Sequence, residues 1–239
     1  MTIAHGLCGY VALAILAGRW QSQGHGRGVT VADLRLVGTL IATGAVLDML
    51  DGPVARRFGS SGMGDRLDGI CDTVTFGVTP AVVVAASGRP SGGVAYAALI
   101  AAGGLFAAAM ILRLVRSELT SADAIKRGFQ GLPSAPASGA TIAAVALYTT
   151  PAVTCLLVIV IAVLVVGRFH YPRQRGALMP IMAGGPVIGL LGVWGVLPLE
   201  PAAIATMVLA IVPSVGAAGL SWHHRHAALD SGRADVVIP

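Results

Sequence analysis

The chain predicts an all-α, multi-pass transmembrane helical bundle of about eight spans, and three observations predict it. Of its 239 residues, 55% are hydrophobic and only 11% charged, where ordinary soluble domains approach roughly a quarter charged. The mean hydropathy is +0.80. The apolar residues are gathered into runs, and about 20 of them in helix cross the roughly 30 Å of a bilayer's hydrocarbon. The 32 glycines, alongside many alanines, suit close helix approach in lipid, where small residues act as packing agents.

Eight stretches qualify, at 1–18, 37–58, 65–87, 93–115, 134–149, 152–169, 178–197 and 202–222. The first has no basic n-region and no Ala-x-Ala exit, so it reads as a membrane helix and not a cleaved leader; its abrupt start leaves room for a segment before it. The second ends, and the third begins, in a cluster of acids. The fourth is followed by the longest polar segment, Ser117–Ser134. The fifth and sixth are short and separated only by Thr150 and Pro151, so they form a tight helical hairpin; a single bent segment would leave seven spans. Residues 1–222 thus read as one membrane-embedded domain. Residues 223–239 read as a polar cytoplasmic tail, whose His223, His224 and His226 belong to a solvated end.

Charge placement tests the count. With eight spans, 12 of the 16 basic residues fall on one side, and Arg19, Arg27, Arg35 and Arg89 on the other. The positive-inside rule then puts the acidic cluster and both termini in the cytoplasm, at the inner membrane. Arg19, Arg27 and Arg35, all near the first loop, run against that rule. The net charge of +5 reflects arginines flanking spans; no basic patch interleaved with aromatics supports a nucleic-acid partner. Cys8, Cys71 and Cys155 are isolated, with no CxxC and no histidine at ligand spacing, and read as small core residues.

The chemistry concentrates between the second and third spans. There the chain reads Asp48-x-x-Asp51-Gly52-x-x-Ala55-Arg56, seven residues, then Gly64-x-x-x-Asp68-x-x-x-Asp72. Spacings of three and four put each pair of acids on one helix face. Two helix ends can therefore aim four carboxylates at one point. Uncompensated, such a cluster at a membrane border repels itself and is costly to desolvate. Hard divalent cations remove the objection, because Mg²⁺ and Mn²⁺ prefer oxygen ligands and commonly bind with phosphates. Asp65, the fifth acid, reads as a helix N-cap or a solvated charge.

This pattern resembles the signature of the CDP-alcohol phosphotransferase family, integral membrane enzymes that build phospholipid head groups. The resemblance implies that Asp48, Asp51, Asp68 and Asp72 bind two divalent cations, Mg²⁺ or Mn²⁺, and that Asp72 is also the general base. It implies a CDP site at Gly52, Ala55, Arg56 and Gly64. The glycines and Ala55 lack bulk beside the nucleotide, and Arg56 supplies a charged fork for phosphate or a cytosine carbonyl.

The likeness covers roughly residues 1–140 and extends toward the family's bacterial and archaeal phosphatidylserine synthases. Asp72-Thr-Val-Thr-Phe-Gly-Val-Thr-Pro80, Arg113-Leu-Val-Arg116, the Gly-Leu-Pro element Gly131–Pro133 and the opening Thr2…Leu7-Cys8-Gly9-Tyr10 are similar to stretches of that subgroup. It implies transfer of a phosphatidyl group from CDP-diacylglycerol to the hydroxyl of L-serine, release of CMP, and a homodimer in the membrane lipid. Arg113 and Arg116 are candidates for the acceptor carboxylate or the lipid phosphates, or are interfacial anchors; Gln130 and Ser134 are further polar candidates. The chain departs from the subgroup at Gly69, around Ser117–Glu118, and at His5, where the first span usually carries Asn. None of these falls on a proposed metal ligand, but they leave glycerol phosphate or inositol phosphate open as acceptors. The alternative of another class is a cation- or proton-coupled transporter, since intramembrane carboxylates mark ion pathways. Such sites usually lie at mid-membrane between repeated halves, and no internal repeat is visible here.

Overall fold

The computed structural model describes residues 2–23, 28–58, 62–119, 129–168, 170–171 and 178–213. The described residues form α1 (Thr2–Gln23), α2 (Val31–Phe58), α3 (Gly62–Asp72), a π-helical segment (Thr73–Val78), α4 (Thr79–Ser87), α5 (Gly93–Leu119), α6 (Ser134–Ala146), α7 (Pro151–Val166), α8 (Leu178–Val193) and α9 (Leu199–Pro213). The α3, π and α4 segments run on without a break, so the described residues build eight helical rods, one for each expected span. The fifth and sixth spans are separate helices joined at Leu147–Thr150, which resolves the question of seven or eight. The sole addition to the all-α expectation among these residues is a two-residue antiparallel pairing of β1 (Phe129–Gln130) with β2 (His170–Tyr171). The tail, residues 223–239, lies outside the described residues.

Three segments are long and apolar enough to cross a membrane by length and composition: Thr2–Gln21, Leu67–Ser91 and Gly93–Ser117. Their outward faces carry large apolar side chains, among them Ile3, Leu7 and Tyr10 on α1 and Ile100, Leu105 and Leu112 on α5. Lipid, not water, is the solvent such a surface suits. The shorter α6 is buried along nearly its whole length. At 13 residues it rises only about 20 Å, and its Ala137, Ala140 and Ala144 are fully enclosed, so its neighbours α2, α4, α7 and α8 can approach closely.

Two boundaries differ from the sequence expectation for local reasons. Helix α2 starts six residues before the apolar run. Thr30 and Asp33 form a reciprocal capping box there: the Asp33 amide donates to Thr30 Oγ1 (3.2 Å) and the Thr30 amide to Asp33 Oδ2 (3.0 Å), satisfying two donors that a helix start leaves orphaned. Helix α3 is described from Gly62, so the position of Asp65 falls inside it, three residues on.

Three of the four arginines on the minority side of the charge count are tied down locally. Arg19 Nη1 donates to Asp33 Oδ1 at 3.0 Å. Arg35 Nε donates to the carbonyl of Val193, the last residue of α8, at 2.6 Å. Arg89 stacks over the Trp20 ring at 4.3 Å. Arg27 lies outside the described residues.

Candidate functional site

The up-and-down path brings five separated stretches to one end of the bundle. These are the start of α1, the end of α2, the α3–π junction, the end of α5 and the start of α6. One ligand atom each from His5, Asp48, Asp68 and Asp72 lies within 4.8 Å of the others. Asp51 stands outside this group, accepts a hydrogen bond from Thr2 Oγ1 at 2.7 Å and interacts electrostatically with Asp48.

Asp72 is the deepest of these acids, 8% exposed. It ends α3 where the backbone widens into the π segment, a distortion frequent at functional sites. Ser134 Oγ donates to its Oδ2 at 3.3 Å, while Oδ1 is buried with no hydrogen-bond partner. Arg113 is buried, interacts electrostatically with Asp72, and keeps its Nε without a partner. A pair of carboxylates about 4 Å apart at an effective dielectric of about 20 repels by about 4 kcal/mol. The carboxylates of the cluster therefore repel one another, and their oxygens form a donor set that fits hard divalent cations.

Local sequence explains how the side chains reach the site. Gly6 and Gly9 let α1 lie directly on the α3–π rod: a Cβ at Gly6 would come 2.6 Å from Cys71 Sγ, and one at Gly9 2.8 Å from the Thr75 Cα. That contact seats His5 between Asp72 and Phe76, with its ring centroid 4.9 Å from that of Phe76. The Gly-Leu-Pro element has a comparable cause. Gly131 adopts φ 77°, where a side chain would be strained, and a Cβ there would overlap the Val165 carbonyl oxygen. The Leu132 amide then donates to Leu164 O at 3.0 Å, Leu132 is fully buried, and Pro133 turns the chain so that α6 opens with Ser134 facing Asp72.

Of the residues singled out from sequence, the structure thus gathers Asp48, Asp68, Asp72, Arg113 and Ser134, with Asp51 at the margin. Arg116 is directed elsewhere, its Nη1 donating to the carbonyl of Val166, the last residue of α7, at 2.9 Å. Gly64 lies one turn before Asp68 on α3. Gly52, Ala55 and Arg56 fall in the last two turns of α2, and Gln130 in β1, but their side chains lie outside the described residues. Sequence reasoning missed Thr2 as a partner of Asp51, and it noted His5 only as a departure from a pattern. The available signal was the small-residue step Gly6-x-x-Gly9, which marks where α1 touches another backbone and so where His5 points.

A helical membrane bundle with a polar, carboxylate-rich site at one end defines the class. The CDP-alcohol phosphatidyltransferase family model matches residues 1–215, and the chain belongs to that family; it is a membrane protein. It is 28% identical over 169 residues to the CDP-diacylglycerol–serine O-phosphatidyltransferase of Mycobacterium leprae (strain TN), covering 65% of this chain and 55% of that protein. It is 30% identical over 143 residues to the archaetidylserine synthase of Methanothermobacter thermautotrophicus (strain Delta H), covering 57% and 58%. A CDP-diacylglycerol–serine O-phosphatidyltransferase of Methanocaldococcus jannaschii is 32% identical over 136 residues, covering 56% and 63%. The chain spans about half the length of the curated relatives it matches.

Proposed function

We propose that this chain transfers a phosphatidyl group from CDP-diacylglycerol to the hydroxyl of L-serine, releasing CMP. The observation that carries the reading is the convergence of Asp48, Asp68 and Asp72 beside Ser134 and Arg113 at one end of the bundle. Asp48, Asp51, Asp68 and Asp72 hold two divalent cations, Mg²⁺ or Mn²⁺. When bound, the cations supply charge neutralisation for the pyrophosphate and the departing CMP. The Asp72 carboxylate takes the acceptor's hydroxyl proton. The freed oxygen bonds to the phosphorus of the phosphatidyl group, and the bond from that phosphorus to the bridging oxygen of CMP breaks. Ser134 orients Asp72 through its hydrogen bond. Gly52, Ala55, Arg56 and Gly64 make room for and grip the CDP moiety, and Arg113, whose guanidinium already faces the site, meets the acceptor carboxylate. Arg116 and Gln130 remain peripheral candidates for the same contacts.

Serine as acceptor is supported by relatives named for serine transfer. The cytoplasmic face of the inner membrane is supported by the bias of basic residues, and a homodimer by the family resemblance. The test is CMP release by purified protein in detergent, with CDP-diacylglycerol, Mn²⁺ or Mg²⁺, and each candidate acceptor separately. Serine-dependent release that EDTA abolishes is the expected result. Release with only glycerol phosphate or inositol phosphate keeps the chemistry and replaces the acceptor. No metal-dependent release from folded protein with any alcohol overturns the reading.

A further inference from the structure

We infer that His5 is a nitrogen ligand of the cation site, so that this chain completes its carboxylate cluster with an imidazole and favours Mn²⁺ over Mg²⁺. The inference rests on the metal-binding role proposed above for the aspartates. His5 is 0% exposed, and neither of its ring nitrogens has a hydrogen-bond partner. A buried polar group left in that state costs stability unless a ligand satisfies it. Its Nε2 stands 3.7 Å from Asp72 Oδ1, a buried acceptor that is also without a partner. That separation is too long for a hydrogen bond. It suits two ligands of one ion, since ligands bound at about 2.1 Å can stand as much as about 4.2 Å apart. The full His5, Asp48, Asp68 and Asp72 group, within 4.8 Å, needs only a small contraction to close on one cation.

The fold holds the ring for this position and leaves it little choice. Phe76 flanks it on the π segment. On α2, Gly44 leaves room for it, because a Cβ there would come 3.1 Å from His5 Cδ2. The His5 carbonyl accepts from Thr75 Oγ1 at 3.2 Å, which fixes the helix turn that carries the ring. Imidazole suits later first-row metals, whereas Mg²⁺ is served by carboxylate, carbonyl and water. An Asn at this position would offer an oxygen and no such bias.

Pulsed electron paramagnetic resonance on the full chain loaded with Mn²⁺, purified without a histidine tag, decides the matter independently of turnover. The expected result is a ¹⁴N coupling from a directly bound imidazole. It persists in a His223→Ala, His224→Ala, His226→Ala triple variant and disappears on ¹⁵N-histidine labelling and in His5→Asn. Mn²⁺ affinity should fall roughly tenfold or more in His5→Asn, with Mg²⁺ affinity changed less. A variant in which the other five histidines, His25, His170, His223, His224 and His226, are replaced by Ala and the coupling persists answers the question even if His5→Asn does not fold. Bound Mn²⁺ without ¹⁴N coupling, or a coupling that vanishes in the tail variant, overturns His5 as a ligand while the aspartate site stands. Failure to bind Mn²⁺ at all, with Asp48→Asn no different from wild type, overturns the aspartate reading itself.

Discussion

Asp33 and Asp72 are both buried aspartates, at 3% and 8% exposure, and they lie at opposite ends of the bundle. Asp33 precedes Asp48 on α2 by 15 residues, about 22 Å of helix. Its two oxygens accept from the Thr30 amide (3.0 Å), the Thr30 hydroxyl (2.8 Å) and Arg19 (3.0 Å). Asp72 accepts one long bond from Ser134, leaves Oδ1 without a partner, and faces Asp48 and Asp68 across the site. Asp33 is thus provided for by its own neighbours, whereas Asp72 keeps one buried oxygen without a partner beside two further carboxylates. Burial alone does not separate the two. The difference lies in how far each carboxylate's own oxygens are answered, both at Asp33 and only one at Asp72.

The largest effect that would break the comparison is on turnover. Asp72→Asn keeps the shape and removes the base, so kcat in the CMP-release assay is expected to fall by at least about a hundredfold with CDP-lipid binding largely retained. Near-normal turnover would leave Asp72 a buried acid with no special role. The next effect is on stability. Saturating Mn²⁺ at a hundredfold excess over its Kd should stabilise the wild type by about 2.7 kcal/mol, read as a shift in thermal unfolding in detergent. Asp48→Asn should lose most of that shift. The same substitution should stabilise the metal-free protein, on the order of 1 kcal/mol, by relieving repulsion. A variant less stable than wild type without metal would mean that the cluster is already compensated.

The two ends also differ in how well the sequence announces them. The acidic end is legible because its spacing repeats helix periodicity, and four carboxylates with two glycines and an arginine have few other uses. Arg113 and Ser134 are legible as candidates only through motif resemblance. Their meeting at Asp72 depends on the direction of α5 and on how Gly131 docks against α7, which no local pattern encodes. His5 reads as ordinary because one histidine in an apolar helix carries no spacing signal, and Asp48, Asp68 and Asp72 are 43 to 67 residues away in the chain. The opposite end is the reverse case. The box Thr30-x-x-Asp33 is a local signal for a helix start, yet it lies outside the apolar run, so hydropathy alone places the start of α2 six residues late. The Arg19–Asp33 pair likewise explains charges that a topology rule alone counts as exceptions.

Smaller effects sharpen the contrast at the Asp33 end. Asp33→Ala should lower stability by about 1–2 kcal/mol through the lost cap and leave metal binding and turnover unchanged. Arg19, 38% exposed at its side chain, adds little because solvent screens it. The pH dependence should be smaller still, and its sign is fixed by the surroundings of Asp33, which lies outside the apolar run 37–58. Burial pushes its carboxyl up, but the Thr30 bonds and Arg19 outweigh burial and hold it below the usual carboxylate range. A folded state that binds this proton less readily than the unfolded chain gains stability above the unfolded value, near 4. It loses that gain as the pH falls through the folded value. Wild type should therefore exceed Asp33→Asn in stability at pH 6, with the two converging toward pH 3. Comparing the pair cancels every other titrating group, the acidic cluster included. A gap that stays constant from pH 6 to 3 would show that the charge of Asp33 contributes nothing and that its hydrogen bonds alone hold the start of α2.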